Sequence, residues 1–327
     1  MINNFCTHFD SNYLAYGLNL IDSINKHSVN SMIYTVAMDD ECYYELKKIN
    51  PSNVVVIKRT DIEEAYPRLK EKKSSRSKIE YFFTFSPAIC KYILENFKEI
   101  NRLTYLDSDL YFFASPETIF KEIGDSSIAI IEHNFSAITK SNIKYGRFNV
   151  GWISFLRDQD GLKCINDWFE NCLDWCYQLV ESNRYADQKY LDYWPEKFKS
   201  LKIIKNKGAN LAPWNISKYR IKKNTDGIFV DDDKLIFYHF ANLVQVNNNK
   251  FKTNLSRVLV PTSGIVKQDI YIPYIRNLLK HLKKNNHTII PKKKINHKSF
   301  FINILVDISH KVRDMLYNDM IELNLNE

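Results

Sequence analysis

Short apolar runs alternate with amphipathic stretches through most of the chain. "YLAYGLNLIDSINKH" sets Leu14, Leu18, Ile21 and Ile24 at helical spacing, and "SMIYTVAMDD" reads as a strand ending in acids. "ECYYELKKIN", closed by Pro51, predicts a short helix, and "NVVVIKR" a further strand. Strands separated by helices imply a sheet wound with helices, an α/β fold. Residues 61–78 are polar and read as a mobile surface stretch. "SPAICKYILENF" predicts a helix with Ser86 as cap and Pro87 at its first position. The apolar run Leu103–Leu106 predicts a buried strand, and "SPETIFKEI" a short helix. "SSIAIIEH" and "GRFNVGWISFLR" predict two more strands. "GLKCINDWFENCLDWCYQL" reads as a long amphipathic helix, and "YADQKYLDYWPEKF" as a helix ended by Pro195. "LKIIKNKGANLAPWNI" predicts a strand and loop, and "DDDKLIFYHFANL" a strand that exits on a histidine. A last helix is expected over 299–323, apolar at Phe301, Ile304, Leu305, Ile308, Val312, Met315 and Leu316.

Composition narrows the classes. The chain has 327 residues, 45% of them hydrophobic, enough for a sizeable core. With 8 glycines and neither GxGxxG nor GxxxxGK[ST], a glycine-rich phosphate loop is not expected. The net charge is +8, and it is concentrated. Residues 267–300 hold nine Lys/Arg against the single acid Asp269, so this segment alone equals the whole excess. A basic stretch followed by an amphipathic helix suits peripheral contact with an anionic membrane face, or packing on protein. The basic linker "HTIIPKKKINHK" has no interleaved aromatics, so nucleic acid is not an expected partner. Six cysteines without CxxC spacing read as buried apolar residues in a reducing compartment. With neither a signal-peptide pattern nor a long apolar span, a cytoplasmic location is expected.

The candidate chemistry lies in "RLTYLDSDLYFF" (102–113), where Asp107 and Asp109 follow an apolar strand. Ligands of parallel α/β sheets bind at the carboxyl ends of strands. Residues i and i+2 point the same way in extended chain, so both carboxylates address one target. Two like charges that close repel unless a cation neutralises them, and oxygen ligands favour Mg²⁺ or Mn²⁺, which keep positions open for phosphates. The bland alternative is a helix cap beside a solvated turn acid.

The surroundings of that pair resemble a known family. "LTYLDSDLYFFASPETIF" is similar to the strand and DxD of GT-A fold glycosyltransferases, especially family-8-like enzymes. "FNVGWISF" (148–155), "ADQKYLD" (186–192) and "FYHF" (237–240) resemble three further family segments in the matching order. "CTHFDSNYLAYGLNLIDSINKHS" resembles the first strand and helix, where the nucleotide base rests. The resemblance covers roughly residues 1–250 and extends to bacterial surface-polysaccharide glycosyltransferases. It implies a GT-A, Rossmann-like mixed sheet flanked by helices, over residues 1–265, with a basic linker and helical appendage over 266–327. It implies a hexosyltransferase-like enzyme that moves a sugar from a nucleotide-diphosphate sugar, with UDP as the expected nucleotide, to a glycan or lipid-linked acceptor, with retention in family 8. A degenerate member that only binds nucleotide or sugar, or acts as a scaffold, is the alternative.

By resemblance, Asp107, Asp109 and His239 hold Mn²⁺ or Mg²⁺, and Thr7, Tyr13, Lys78, Asp107, Ser108 and Asp109 hold the donor. Asn149, Asp187 and Gln188 line the sugar side as catalytic candidates, with a strand-end turn and a helix cap as their ordinary readings. Tyr193, Trp194 and Trp214 suit a sugar face or core packing. The chain departs from the family after His239, where Phe-Ala-Asn-Leu replaces the glycine and no Lys-Pro-Trp follows. The clamp on the leaving diphosphate is therefore open among Lys78, Arg76 and Lys252. The acidic run Asp231–Asp233 reads as a solvated turn.

Overall fold

The computed structural model describes residues 2–284 and 312–323. In chain order the strands and helices are β1 Asn3–Phe9, α1 Leu14–His27, β2 Ser31–Ala37, α2 Asp40–Ile49, β3 Val54–Lys58, α3 Arg59–Ala65, α4 Pro67–Lys72, α5 Lys78–Asn96, β4 Arg102–Leu106 and β5 Leu110–Phe112. Next come α6 Glu117–Ile123, β6 Ile128–Glu132, β7 Phe148–Leu156, α7 Gln159–Asp174, α8 Trp194–Lys197 and β8 Leu201–Ile204. The last are β9 Ile221–Asn224, β10 Gly227–Val230, β11 Asp233–Lys234, β12 Phe237–His239, β13 Val244–Gln245, β14 Lys250–Lys252, α9 Ile272–Lys284 and β15 Met320–Glu322.

A seven-stranded sheet in the order β3–β2–β1–β4–β7–β6–β8 forms the centre. Pairing is parallel except on the two sides of β7, which runs against β4 and β6. This is the mixed, helix-flanked sheet that the resemblance implies. Strand alternation splits the core in two. Cys6, Leu103 and Tyr105 face one side, where α5 and α7 pack. Phe5, Phe9 and Leu106 face the other, with α1, α2 and α6. Leu103 and Leu106 are fully buried, each stabilising by about 2 kcal/mol. The polar Thr104 between them is tolerated because it bonds Ser154 Oγ at 2.7 Å.

A third core joins α9, β12, β14 and β15 to Ala15 and Tyr16 of α1, around Tyr238, Tyr271 and Tyr274. Asn19 of α1 donates to the Tyr274 carbonyl at 3.3 Å and accepts from Asn277 at 2.7 Å. No described helix is long and apolar enough to cross a membrane.

Several predicted elements differ. The polar stretch at 61–78 folds into helical segments, because Ile62 and Leu69 reach the core. The following helix starts at Lys78, not Ser86. Ser77 and Glu80 form a reciprocal cap, and Pro87 lies inside the helix. Pro87 has no N–H, so the Phe83 carbonyl one turn earlier receives no bond from residue 87. The helix predicted over 185–198 is reduced to a 3₁₀ turn, Lys189–Tyr193, and the short α8. Met320–Glu322, placed in the last predicted helix, is a strand on β14. Of the appendage expected over 266–327, Ile272–Lys284 is α9, packed in the third core against α1, while the basic linker "HTIIPKKKINHK" and the helix positions Phe301, Ile304, Leu305 and Ile308 lie outside the described residues.

Candidate active site

The loop after β4 turns at once into β5, and β5 pairs antiparallel with β12, setting Leu110 opposite His239. The Phe240 N–H donates to the Asp109 carbonyl at 2.9 Å and closes the register. This short ladder carries a histidine from far along the chain to the carboxyl end of β4. His239 Nε2 lies 3.0 Å from Asp109 Oδ1 and 3.8 Å from Asp107 Oδ2. One donor atom from each of the three falls within 4.8 Å of the others.

The ring is held in place from behind. Trp214 packs edge-on against it, with ring centroids 5.0 Å apart. Gly151 leaves room: a methyl there would stand 2.5 Å from Asn149 Oδ1 and 3.0 Å from His239 Nδ1. Asn149 is buried, accepts from the Gly151 N–H at 3.1 Å and contacts His133 Nε2 at 3.3 Å.

Electrostatics fit a cation. Burial pushes the Asp107 carboxyl up to about 6; His239 opposes this and the Asp109 charge adds to it. Burial would raise Asp109 too, but His239 holds it below the ordinary carboxylate range. His239 is lowered by burial, yet Asp109 and Asp107 bring it above its usual value. Two carboxylates and one imidazole converge, with an excess of negative charge that burial makes costly. That donor set suits Mn²⁺, and Mg²⁺ through its oxygens.

The three residues line a cavity of ≈ 460 Å³. Tyr13, Lys78, Ser108, Asp187 and Gln188 line it as well, whereas Asn149 and Thr7 are not among its lining residues. Thr7 is a buried β1 residue whose hydroxyl has no partner. Ala186 has a left-handed backbone, φ 47°, unusual for a residue with a Cβ, and it presents the next residue, Asp187, to the cavity. Burial drives Asp187 up to about 7, against a hydrogen bond from Ser86, while Asp107 adds to the rise. Gln188 Nε2 donates to the Tyr145 carbonyl at 2.8 Å, fixing its amide at the rim.

Sequence reasoning missed several neighbours. Tyr105 donates to Asp107 Oδ1 at 3.1 Å, and its hydroxyl contacts His8 Nδ1 at 3.3 Å. Burial lowers His8 to about 4, so it stands neutral against Tyr105 and Phe82. Asp10 lines the cavity and caps the turn at Tyr13. The strand period gave a signal for Tyr105, two residues before Asp107 on the same face. Ser86, read as a cap, is a cavity residue on the inner face of α5.

Of the aromatic candidates, Trp194 is fully buried against Trp168 and Phe155, a core residue. Tyr193 accepts from Asn171 at 2.8 Å. Asp231 and Asp233 take up Lys207 and the backbone N–H groups of Arg220 and Lys207 in an exposed turn. All six cysteines are unpaired and buried.

No protein-family model matches the chain. The uncharacterized protein YfnD of Bacillus subtilis (strain 168) is 29% identical over 262 residues, spanning 79% of this chain and 83% of that protein. YfnF of the same strain is 28% identical over 294 residues, 86% of this chain and 95% of the relative. Among solved structures, mouse xyloside xylosyltransferase 1 in its apo form aligns with a TM-score of 0.45 at 15% identity, over 74% of this chain and 98% of that one. The glycosyltransferase GlyE of Streptococcus pneumoniae TIGR4 aligns with 0.49 at 12% identity, over 90% of this chain and 66% of that one.

Proposed function

We propose that the chain is a metal-dependent glycosyltransferase that uses a nucleotide-diphosphate sugar, with UDP the first nucleotide to test. The observation that carries the reading is the convergence of Asp107, Asp109 and His239 within 4.8 Å at a cavity also lined by Asp187 and Gln188. The order of the segments that resemble family-8-like enzymes supports it. The acceptor class that follows from the resemblance is a glycan or lipid-linked saccharide. Six unpaired cysteines suit a reducing compartment.

In this reading Asp107, Asp109 and His239 hold Mn²⁺ or Mg²⁺. When bound, the ion supplies Lewis-acid stabilisation of the charge that builds on the departing diphosphate. The bond between the anomeric carbon and the diphosphate oxygen breaks, and its electron pair stays on that oxygen. The acceptor hydroxyl oxygen bonds to the carbon and gives its proton to the departing diphosphate. Asp187 and Gln188 face the sugar, which gains oxocarbenium character in the transition state. A carboxyl with a proton affinity near neutrality can donate to a sugar hydroxyl or accept from one, so Asp187 adapts to the ring it orients. Ser86 and Tyr105 keep Asp187 and Asp107 in position.

The test is release of nucleoside diphosphate from UDP-, GDP-, CDP- and dTDP-sugars in Mn²⁺. Release with one nucleotide class, lost in EDTA and in Asp109→Ala, is expected. Release that is equal in the variant, or absent throughout, contradicts the proposal.

A further inference from the structure

The cavity holds more negative than positive side chains. Asp10, Asp107, Asp109 and Asp187 line it, against Lys78 as the one lysine or arginine among its lining residues. A diphosphate that leaves with added charge needs a cation besides the metal, and the three sequence candidates now separate. Arg76 is buried and committed, donating to Thr84 Oγ1 and to the Leu173 carbonyl at 2.9 Å. Lys252 is paired with Asp314, outside the cavity. Lys78 stands at the first position of α5, on the cavity rim, with its side chain 65% exposed.

Lys78 Nζ pairs with Asp10 Oδ2. Asp10 does not depend on that contact. It also accepts from the Tyr13 N–H at 3.1 Å and from Asn12 Nδ2 at 3.1 Å. A lysine has a flexible stem and three donors, so it can change partners without moving the backbone. Its ammonium also lies 5.7 Å from the Phe82 ring centroid, which keeps it along the cavity wall. The start of α5 adds a favourable partial charge on the same side.

Resting on the transferase reading, we propose that Lys78 is the leaving-group clamp: it exchanges Asp10 for a diphosphate oxygen when the donor binds. The ammonium then meets the charge that develops as the anomeric bond breaks, and it returns to Asp10 when the nucleotide leaves. In this chain the start of α5 supplies the cation that the segment after His239 lacks.

The experiment is calorimetric titration of UDP, GDP, CDP and dTDP, and of the matching nucleosides, in Mn²⁺. Wild type is compared with Lys78→Ala and Lys78→Arg. The preferred diphosphate should bind Lys78→Ala about tenfold or more weakly, from the loss of a charge-assisted contact. Its nucleoside should bind all three proteins alike, and Lys78→Arg should recover most of the diphosphate affinity. Because Lys78 is exposed, the ligand-free melting temperatures should agree, which separates a local effect from misfolding. Lys78→Ala with wild-type affinity for the diphosphate overturns the clamp and leaves the transferase reading standing. Equal losses for diphosphate and nucleoside overturn it too. A wild type that binds none of the four diphosphates removes both.

Discussion

Two corners of one cavity hold the same residue type in opposite states. At the β5–β12 corner, Asp109 is half-buried and faces His239, and it stays an anion below the ordinary range. At the other corner, Asp187 is more deeply buried and has the Ser86 hydroxyl as its side-chain hydrogen-bond partner, and its proton affinity climbs to about 7. Burial disfavours both charges; the imidazole decides between them. In the proposed reading the first corner keeps negative charge for a cation, and the second shares a proton with a ligand. Asp107, raised to about 6, stands between them.

The comparison is broken most severely at the first corner. His239→Ala and Asp109→Ala should each lower metal-dependent turnover by about a hundredfold or more, since electrostatic stabilisation of developing charge is among the largest contributions to catalysis. Retained turnover would detach the triad from the chemistry. Gly151→Ala attacks the same corner sterically. Its methyl would meet Asn149 Oδ1 and the His239 ring, with a cost of about 1–3 kcal/mol from overpacking. A lower melting temperature and weaker Mn²⁺ binding are expected; unchanged values of both would show that the ring has room to move.

The second corner is sharpened by pH. The Asp187 proton affinity is higher in the folded chain than its usual value of 3.8, so its contribution to stability is full below about 3.8 and is lost as pH rises through about 7. The loss is on the order of 4 kcal/mol. Asp187→Asn carries no such loss. In EDTA, its melting temperature relative to wild type should rise steadily between pH 4 and pH 7.5. An offset independent of pH would contradict the assignment. The smallest effect is expected from Tyr105→Phe, which removes a 3.1 Å donor from Asp107 and leaves the ring packed. Mn²⁺ affinity should fall by about tenfold, the low end for a residue that orients a ligand.

The first corner was largely legible in the sequence and the second was not, for a physical reason. Asp107 and Asp109 follow an apolar strand, and His239 ends another, so the pattern sets all three at strand ends, and the family resemblance groups them as one metal site. The β5–β12 register that joins them is a long-range pairing and leaves no local trace. Asp187 is a sugar-side candidate through the resemblance alone; its local sequence reads as a helix cap. The left-handed Ala186 that presents it runs against local propensity and is sustained by tertiary packing. Likewise the Ser86-Pro87 pair looks like a helix start, yet the Ser77–Glu80 cap two turns earlier prevails because Tyr81, Thr84 and Phe85 bury one face. That shift of the helix start carries Lys78, Phe82, Phe83 and Ser86 into the cavity wall.

The most direct measurement is a thermal-shift titration of wild type and Asp109→Ala with UDP, GDP, CDP and dTDP, each with and without Mn²⁺. A ligand that binds only the folded state raises the melting temperature. A manganese-dependent rise with one nucleotide, abolished in Asp109→Ala, is predicted. No rise with any nucleotide and no response to manganese would make the two aspartates a structural turn and contradict the account.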